Sequence, residues 1–248
     1  MIGNSFTLNI LEKITGSRIL KKMPIGLDLI NDINKNYPNY SLLTIIDVGA
    51  NVGQSENDYV RKNPNTAVYC IEPVGTTFLQ LQKNIKGNHT KCFQYAFGEE
   101  TSTVQMKVSK SASKSVSNSI LIEKSIIDSD FEIEEVKMIT LDAFCQDNNI
   151  NAVSLLKIDA EGYDLNVLKG GINSLQEQKI DFIEVEVSMN ETNVFHVNYF
   201  EIYNFLKQYN YFVFGIYEQM PEFVLKQPQL RRSNVVFISK KMVEKYPN

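Results

Sequence analysis

A short apolar run that ends in two glycines constrains the fold of this chain most. The run is Thr44–Val48, with Asp47 near its end, and Gly49 and Gly53 follow it. An apolar, partly β-branched run bounded by glycine predicts a buried parallel strand that enters a tight turn and then a helix. Because glycine has no Cβ, we expect this turn to let a ligand approach the backbone closely.

A second apolar run, Ala67–Ile71, ends in Glu72 and Pro73. An acid at the tip of the second strand of such a unit is placed to accept hydrogen bonds from ribose hydroxyls. The two runs together therefore predict a nucleoside site at the carboxyl ends of adjacent parallel strands.

The glycine pattern narrows the choice of nucleoside. A dinucleotide fingerprint, Gly-x-Gly-x-x-Gly, would place glycine at two positions that Asn51 and Gln54 occupy here. A triphosphate-binding loop of the Gly-x-x-x-x-Gly-Lys-Ser/Thr type is also absent from the sequence. The turn thus favours a ligand that has a ribose and no phosphate, such as S-adenosylmethionine. A nicotinamide-dependent oxidoreductase is the disfavoured alternative.

Composition limits the class of protein. A length of 248 residues fits one α/β domain, and a net charge of −4 gives no basic footprint for nucleic acid. Neither a membrane-spanning apolar run nor a signal peptide is evident, and the scattered Cys70, Cys92 and Cys145 indicate reduced thiols. We expect a cytoplasmic protein with no nucleic-acid partner and no membrane span.

The order of the patterns predicts a helical N-terminal cap over residues 1–40, with a helix at Gly26–Ile33, and a single domain over residues 41–248. An insertion near residues 100–140 holds an edge strand and a serine-rich loop, Ser109–Ser119, that we expect to be mobile. Strands are predicted at 42–48, 67–71, 92–96, 104–108, 136–141, 153–158, 182–187, 211–217 and 234–239. Helices are predicted at 54–62, 76–86, 143–147, 165–178 and 197–208. Asp142 is expected to cap the third of these helices, and the last two strands to form an antiparallel hairpin.

A second constellation of acids follows the predicted strand 153–158. Asp159 and Glu161 lie two residues apart, and Asp164 stands at the start of the next helix. The helix dipole alone accounts for Asp164. Two carboxylates as close as Asp159 and Glu161 repel each other, which raises a pKa or attracts a cation, and strand ends of open α/β sheets bind ligands. We therefore predict a functional role for these two acids.

The chain resembles the FkbM family of S-adenosylmethionine-dependent methyltransferases. The motifs that carry the resemblance are Asp47–Gly53, Glu72-Pro73, Ala96–Gly98, Leu141-Asp142 and Leu156–Asp164, in that order. The resemblance implies a Rossmann-like class I methyltransferase fold, an α/β fold with a mostly parallel seven-stranded sheet, an antiparallel final strand and helices on both faces. It also implies O-methylation, commonly of sugar or polyketide hydroxyls. Glu99 and Asp164 depart from the residues usual in the family.

The resemblance also implies the cofactor contacts. Asp47 and the glycine turn would hold the methionine part, Glu72 the ribose, and the backbone near Ala96 and Phe97 the adenine. The predicted cofactor-binding residues are Asp47, Gly49, Ala50, Asn51, Gly53, Glu72, Pro73, Ala96 and Phe97.

Methyl transfer to a hydroxyl needs an aligned acceptor and a group that takes its proton. Asp159 is our first choice for that base or for orienting the acceptor, and Glu161 is the second. Lys157 faces the same side of the strand as Asp159. It would lower the pKa of a neighbouring carboxylate or form an ion pair unconnected with the chemistry.

Several alternatives stay open at this point. Asp159 and Glu161, with Glu184 or Glu186, could bind Mg²⁺, although no ligand spacing is diagnostic and we assign no metal ligand. His196 either contacts the acceptor or has a surface or capping role. Arg231 and Arg232 either hold an anionic acceptor or form a solvated loop pair. A non-catalytic binding protein on the same fold is the alternative function, because a fold does not fix an activity. The acceptor is expected to be a small molecule or a glycan.

Overall fold

The computed structural model describes residues 24–109, 119–120 and 131–246. Its strands are β1 Thr44–Val48, β2 Ala67–Ile71, β3 Thr90–Phe93, β4 Ala96–Phe97, β5 Ser102–Ser109, β6 Ser119–Ile120, β7 Phe131–Ile139, β8 Val153–Ile158, β9 Ile180–Ser188, β10 Tyr211–Glu222 and β11 Gln227–Ser239. Its helices are α1 Leu29–Asn36, α2 Gln54–Lys62, α3 Gly75–Asn84, α4 Leu141–Asp147, α5 Asp164–Lys169, α6 Ile172–Gln176, α7 Tyr199–Gln208 and α8 Lys240–Lys245.

The large sheet has seven strands in the order β10-β11-β9-β8-β1-β2-β3. Strands β9, β8, β1, β2 and β3 are parallel to one another, whereas β11 is antiparallel to both β9 and β10. The hairpin of β10 and β11 thus puts the final strand inside the sheet. The predicted Rossmann-like architecture with an antiparallel final strand is confirmed.

Helices cover both faces of this sheet, because its central strands are apolar on both sides. All six residues of β8 are buried. On one face, Leu156 packs in a cluster with residues of α4, α5, α6 and α7. On the other face, Leu155 packs in a cluster with residues of α1, α2, α3 and α8. The charged ends of the strands therefore lie at the edge between two apolar layers.

A smaller four-stranded sheet, in the order β4-β7-β5-β6, fills the region predicted as an insertion. The sequence indicated one edge strand and a second strand there, and missed the sheet that they form. The predicted strand 92–96 was wrong at its end, because Ala96 and Phe97 pair with Met138 and Ile139 of the small sheet. Residues 110–118 of the serine-rich loop lie outside the described residues, so its predicted mobility stays a prediction.

The predicted helix 165–178 is two short helices, α5 and α6, separated by Gly170 and Gly171. A Cβ on Gly170 would lie 2.1 Å from the carbonyl oxygen of Gly98. The chain therefore bends where the small sheet comes close to the helical layer, and only glycine leaves room for that contact.

The prediction that Asp142 caps α4 was wrong. The Thr140 hydroxyl accepts the hydrogen bond from the backbone N–H of Ala143 at 3.1 Å. The Asp142 carboxylate instead accepts hydrogen bonds from the backbone N–H groups of Asn173 and Ser174, in the first turn of α6. An acid is favoured at that helix start by the helix dipole, so Asp142 joins two helices.

The described part of the N-terminal cap contains α1, whose Asp28 accepts a hydrogen bond from the Asn31 N–H at 3.0 Å. Asp28 also forms an ion pair with Lys62 of α2, and the Tyr217 hydroxyl donates to the buried Asp32 at 3.1 Å. These contacts fix the segment before α1 against the domain. Among the described residues, no helix has the length and apolarity needed to cross a membrane.

Candidate active site

A cavity of about 1110 Å³ opens at the carboxyl ends of the parallel strands. Seven of the nine predicted cofactor-binding residues line it: Gly49, Ala50, Asn51, Glu72, Pro73, Ala96 and Phe97. The three predicted catalytic residues, Lys157, Asp159 and Glu161, line it as well. The fold therefore brings together two groups of residues that are at least sixty positions apart in the sequence. Asp47 and Gly53 lie behind this surface and do not line the cavity.

The glycine turn after β1 is shaped by the protein's own backbone. Gly49 has a φ of 79°, and a Cβ there would lie 2.0 Å from the carbonyl oxygen of Asp159. This contact is sufficient reason for glycine at position 49, and the expectation that the turn also makes room for a ligand stays a prediction. The absent side chain of Gly49 lets the turn after β1 pack against the turn after β8, which places the two predicted groups of residues side by side.

Glu72 is held rigidly at the end of β2. Its Oε2 accepts a hydrogen bond from the Asn51 N–H at 3.0 Å, and its Oε1 accepts one from the Val74 N–H at 3.0 Å. Burial raises the pKa of Glu72 to about 7, although these two hydrogen bonds oppose the rise. Because each carboxylate oxygen can accept a further hydrogen bond, the fixed carboxylate suits the two hydroxyls of a ribose.

Lys157 stands at the centre of a charged row that crosses three strands. In the strand register, Asp47 pairs with Lys157 and Lys157 pairs with Glu184. The Lys157 Nζ lies 3.5 Å from Asp47 Oδ1 and 3.3 Å from Asp159 Oδ2. Burial alone lowers the pKa of Lys157, but Asp47, Asp159 and Glu184 outweigh it and the pKa is raised. Lys157 is therefore a permanent cation that neutralises buried acids.

Asp47 depends on this lysine. Its side chain is fully buried, and neither carboxylate oxygen has a hydrogen-bond partner among the described residues. Burial raises the pKa of Asp47, while the charge of Lys157 lowers it. From this position Asp47 acts on the cavity through Lys157.

Glu161 is a candidate base in the cavity wall. Its φ of 48° lies in the left-handed region, which costs energy for a residue with a side chain. Burial raises the pKa of Glu161 to about 7, and the Asp159 charge adds to the rise. No hydrogen bond joins its carboxyl group to another of the described residues, whereas Asp159 is engaged by Lys157. Glu161 is thus a strained, uncommitted carboxyl group in the cavity wall.

Asp164 organises the turn that carries Glu161. Its carboxylate accepts hydrogen bonds from the backbone N–H groups of Ala160 and Gly162, at 3.1 and 3.2 Å. Asp164 is 1% exposed and does not line the cavity. Its position at the first residue of α5 agrees with the structural role predicted for it.

A second set of polar residues lines the cavity: Glu186, His196, Arg231 and Arg232. Glu186 of β9 contacts the imidazole of His196 and forms an ion pair with Arg232. Arg231 is buried and forms an ion pair with Glu222. The two arginines therefore belong to β11, and the alternative of a solvated loop pair was wrong, because the hairpin extends further than its apolar pattern.

Some residues that line the cavity were not predicted from the sequence as site residues: Tyr95, Met106, Tyr163, Phe195 and Phe223. They come from the small sheet, from loops and from the hairpin, and no local pattern separates them from core or surface residues. For the metal alternative, no group of three acid, histidine or cysteine side chains in the described part of the chain is arranged to hold an ion.

The sheet order and the cavity at its carboxyl edge define the class I methyltransferase fold. The family model described as the methyltransferase FkbM domain matches residues 47–213. This match covers more than half of the chain, and the chain belongs to the methyltransferase FkbM domain family.

A curated relative, Methyltransferase 1 of Beauveria bassiana (strain ARSEF 2860), is 27% identical over an alignment of 158 residues, and the match covers 56% of this chain. The match spans 61% of that relative's own length.

Three solved structures show the level of structural similarity. TrmK of M. capricolum with S-adenosyl-homocysteine has a TM-score of 0.46 at 11% identity, over 86% of this chain and 69% of its own. A putative S-adenosylmethionine-dependent methyltransferase from Listeria monocytogenes has a TM-score of 0.47 at 9% identity, and the match covers 85% of this chain and 96% of that protein. A putative RNA methyltransferase from Pyrococcus horikoshii has a TM-score of 0.43 at 11% identity, and the match covers 96% of this chain and 98% of that protein. Similarity at this level says nothing about the acceptor.

Proposed function

We propose that this protein is an S-adenosylmethionine-dependent methyltransferase. The observation that carries the proposal is the Glu72 carboxylate, fixed by two backbone N–H groups at the wall of a cavity that Asp159 and Glu161 also line. Glu72 would hold the ribose hydroxyls, with Ala96 and Phe97 beside the adenine. When bound, the cofactor supplies an activated methyl group, and the protein supplies position and charge.

We propose further that the acceptor is a hydroxyl of a small molecule or glycan. Glu161 would take the hydroxyl proton while the oxygen–methyl bond forms and the sulfur–methyl bond breaks. A pKa of about 7 suits this step, because a base works best when its pKa lies near the working pH. Asp159 has the charge of Lys157 beside it, so it would orient the acceptor.

The backbone of the glycine turn argues against the nicotinamide alternative. A pyrophosphate needs free N–H donors in this turn. Here the N–H groups of Gly49 and Ala50 donate to the Ile71 carbonyl oxygen at 2.9 and 3.0 Å, and that of Asn51 donates to Glu72. Turnover with an acceptor distinguishes the methyltransferase from a non-catalytic binding protein.

Calorimetry with S-adenosylhomocysteine tests the proposal. Wild-type protein should bind it, and should not bind NAD comparably. Glu72→Ala should weaken binding by roughly 1.5–3 kcal/mol, the cost of hydrogen bonds lost to a charged group. Glu100→Ala is the control, because Glu100 is exposed and does not line the cavity. Unchanged affinity in Glu72→Ala would remove Glu72 from the site, and tight NAD binding without S-adenosylhomocysteine binding would end the methyltransferase proposal.

A further inference from the structure

A set of exposed apolar side chains stands at the mouth of the cavity, and we call it the apolar lip. Its members come from the loop after β9 and from the tip of the β10–β11 hairpin: Val194, Phe195, Phe223, Val224 and Leu225. Each of them is at least 48% exposed. Adjacent exposed apolar residues of this size mark a binding surface more often than a plain protein surface.

The lip belongs to the same cavity as the proposed base. Phe195, Phe223 and Val224 line the cavity together with Glu161. Phe195 is also next to the turn that carries Glu161, since a Cβ on Gly162 would lie 2.8 Å from the Phe195 carbonyl oxygen. One ligand can therefore contact Glu161 and the apolar lip at the same time.

Buried polar groups hold the hairpin half of the lip in place. The buried Glu222 carboxylate accepts hydrogen bonds from the Val224 and Leu225 N–H groups at 2.9 and 3.2 Å. It also forms an ion pair with Arg231 at 3.0 Å. The Arg231 guanidinium lies 5.4 Å from the centre of the Phe223 ring. The tip is thus fixed, although its apolar side chains face solvent.

The same network joins the two halves of the lip. Asn190 donates to the Leu230 carbonyl oxygen at 2.7 Å, and Asn193 donates to the Arg231 carbonyl oxygen at 3.3 Å. The Asn193 side chain also accepts a hydrogen bond from the Phe195 N–H at 3.2 Å. A fixed apolar surface loses little conformational entropy when a ligand covers it, which favours binding.

We propose that the apolar lip determines acceptor specificity and selects an amphipathic acceptor. Its hydroxyl end reaches Glu161, and an alkyl, acyl or aromatic part covers Phe195 and the hairpin tip. This inference rests on the proposed function. A wholly polar acceptor would leave the lip in water, whereas an apolar part removes it from water.

Octyl β-glucoside and methyl β-glucoside, kept below the micelle-forming concentration, test the lip by calorimetry on protein saturated with S-adenosylhomocysteine. Octyl β-glucoside should bind at least ~10-fold more tightly, because its chain buries apolar area. Phe223→Ser should reduce that preference by ~5-fold or more. Phe200→Ser is the control, since Phe200 is 66% exposed but does not line the cavity.

Equal binding of the two glucosides, or an equal loss in both variants, overturns the proposal. A third overturning result is co-sedimentation with phosphatidylcholine vesicles that Phe223→Ser abolishes, without any preference for the octyl chain, because the lip is then a membrane contact. Binding of S-adenosylhomocysteine alone is measured for each variant. Its absence in wild type defeats the proposed function itself, whereas its presence without a chain-length preference defeats only the lip.

Discussion

At the scale of single residues, Glu161 combines backbone strain with a raised carboxyl pKa, and at neutral pH and above both features destabilise the folded state. If it is the base, Glu161→Gln should lower turnover by about 10²-fold. Wild-type turnover should rise with pH through about 7 as Glu161 loses its proton, and the variant should lack this dependence. A pH–rate profile of both proteins measures it. If the pH–rate profile of a well-folded Glu161→Gln variant equals that of the wild type, Asp159 becomes the preferred candidate for the base.

The same substitution should stabilise the fold at high pH. Burial raises the pKa of Glu161 from 4.5 to about 7, so the folded state holds the proton more tightly than the unfolded chain does. This stabilising effect is complete below pH 4.5 and is lost as the pH rises through 7. At pH 8, Glu161→Gln should therefore gain on the order of 1–2 kcal/mol in unfolding free energy, after allowance for solvent screening. Urea unfolding at pH 8 and pH 4 measures the gain, which should vanish at the lower pH.

Lys157 should matter for stability as much as for turnover. Lys157→Met leaves Asp47, Asp159 and Glu184 without their shared cation and should cost about 3–5 kcal/mol, the scale for breaking a buried ion pair. Adding Asp47→Asn should recover part of that loss, because it removes the most deeply buried charge. Chemical denaturation of the two variants measures the difference. A double variant no more stable than Lys157→Met would contradict the charged row.

At the scale of elements, the Glu134 side chain joins the small sheet to helix α3. Glu134 of β7 accepts a hydrogen bond from the N–H of Gly75, the first residue of α3, at 2.9 Å. This contact fixes the small sheet beside the end of β2, where Glu72 lies. The position of the adenine side of the cavity therefore depends on two elements that are distant in the sequence.

Glu134→Ala should cost about 1–2 kcal/mol of stability, because it removes an acid from a helix N-terminus. Thermal unfolding measures the loss, and S-adenosylhomocysteine affinity should fall with it. Glu135→Ala is the matched control, since Glu135 is the next residue of the same strand and is exposed. Equal effects in the two variants would show that α3 does not need the contact.

At the scale of the whole molecule, the start of α1 and the two residues before it form one wall of the cavity, through Leu27, Asp28, Leu29 and Ile30. Leu29, Ile30 and Ile33 also pack in the same apolar cluster as β1 and β8. We therefore propose that the described part of the N-terminal cap, residues 24–40, completes the site of the domain at 41–248.

Tyr217→Phe tests how firmly this wall is held. It removes the hydrogen bond to Asp32, which is fully buried, and should cost about 1–3 kcal/mol. Hydrogen exchange of the α1 amides should become faster in the variant. Tyr203→Phe is the control, because the Tyr203 hydroxyl makes no hydrogen bond to the part of the chain described. If the α1 amides exchange as slowly in the variant as in the wild type, the hydrogen bond between Tyr217 and Asp32 is not what holds α1 in place.

The sequence alone determined the parallel strands and the acids at their ends. Apolar runs such as Thr44–Val48 and Val153–Ile158 are buried on both faces of the sheet. A short, mostly apolar run in the sequence is enough to indicate such a strand. Because parallel strands end at one edge of the sheet, the order of the runs was enough to place Glu72, Asp159 and Glu161 together.

Only the tertiary structure decided how these acids are paired and what surrounds them. The sequence does not show that Lys157 neutralises Asp47, that Gly49 makes room for the Asp159 carbonyl group, or that Arg231 is buried. The small sheet and the apolar lip arise in the same way. Each depends on contacts between residues far apart in the chain, whose distances and burial are set when the elements pack, and no local pattern records them.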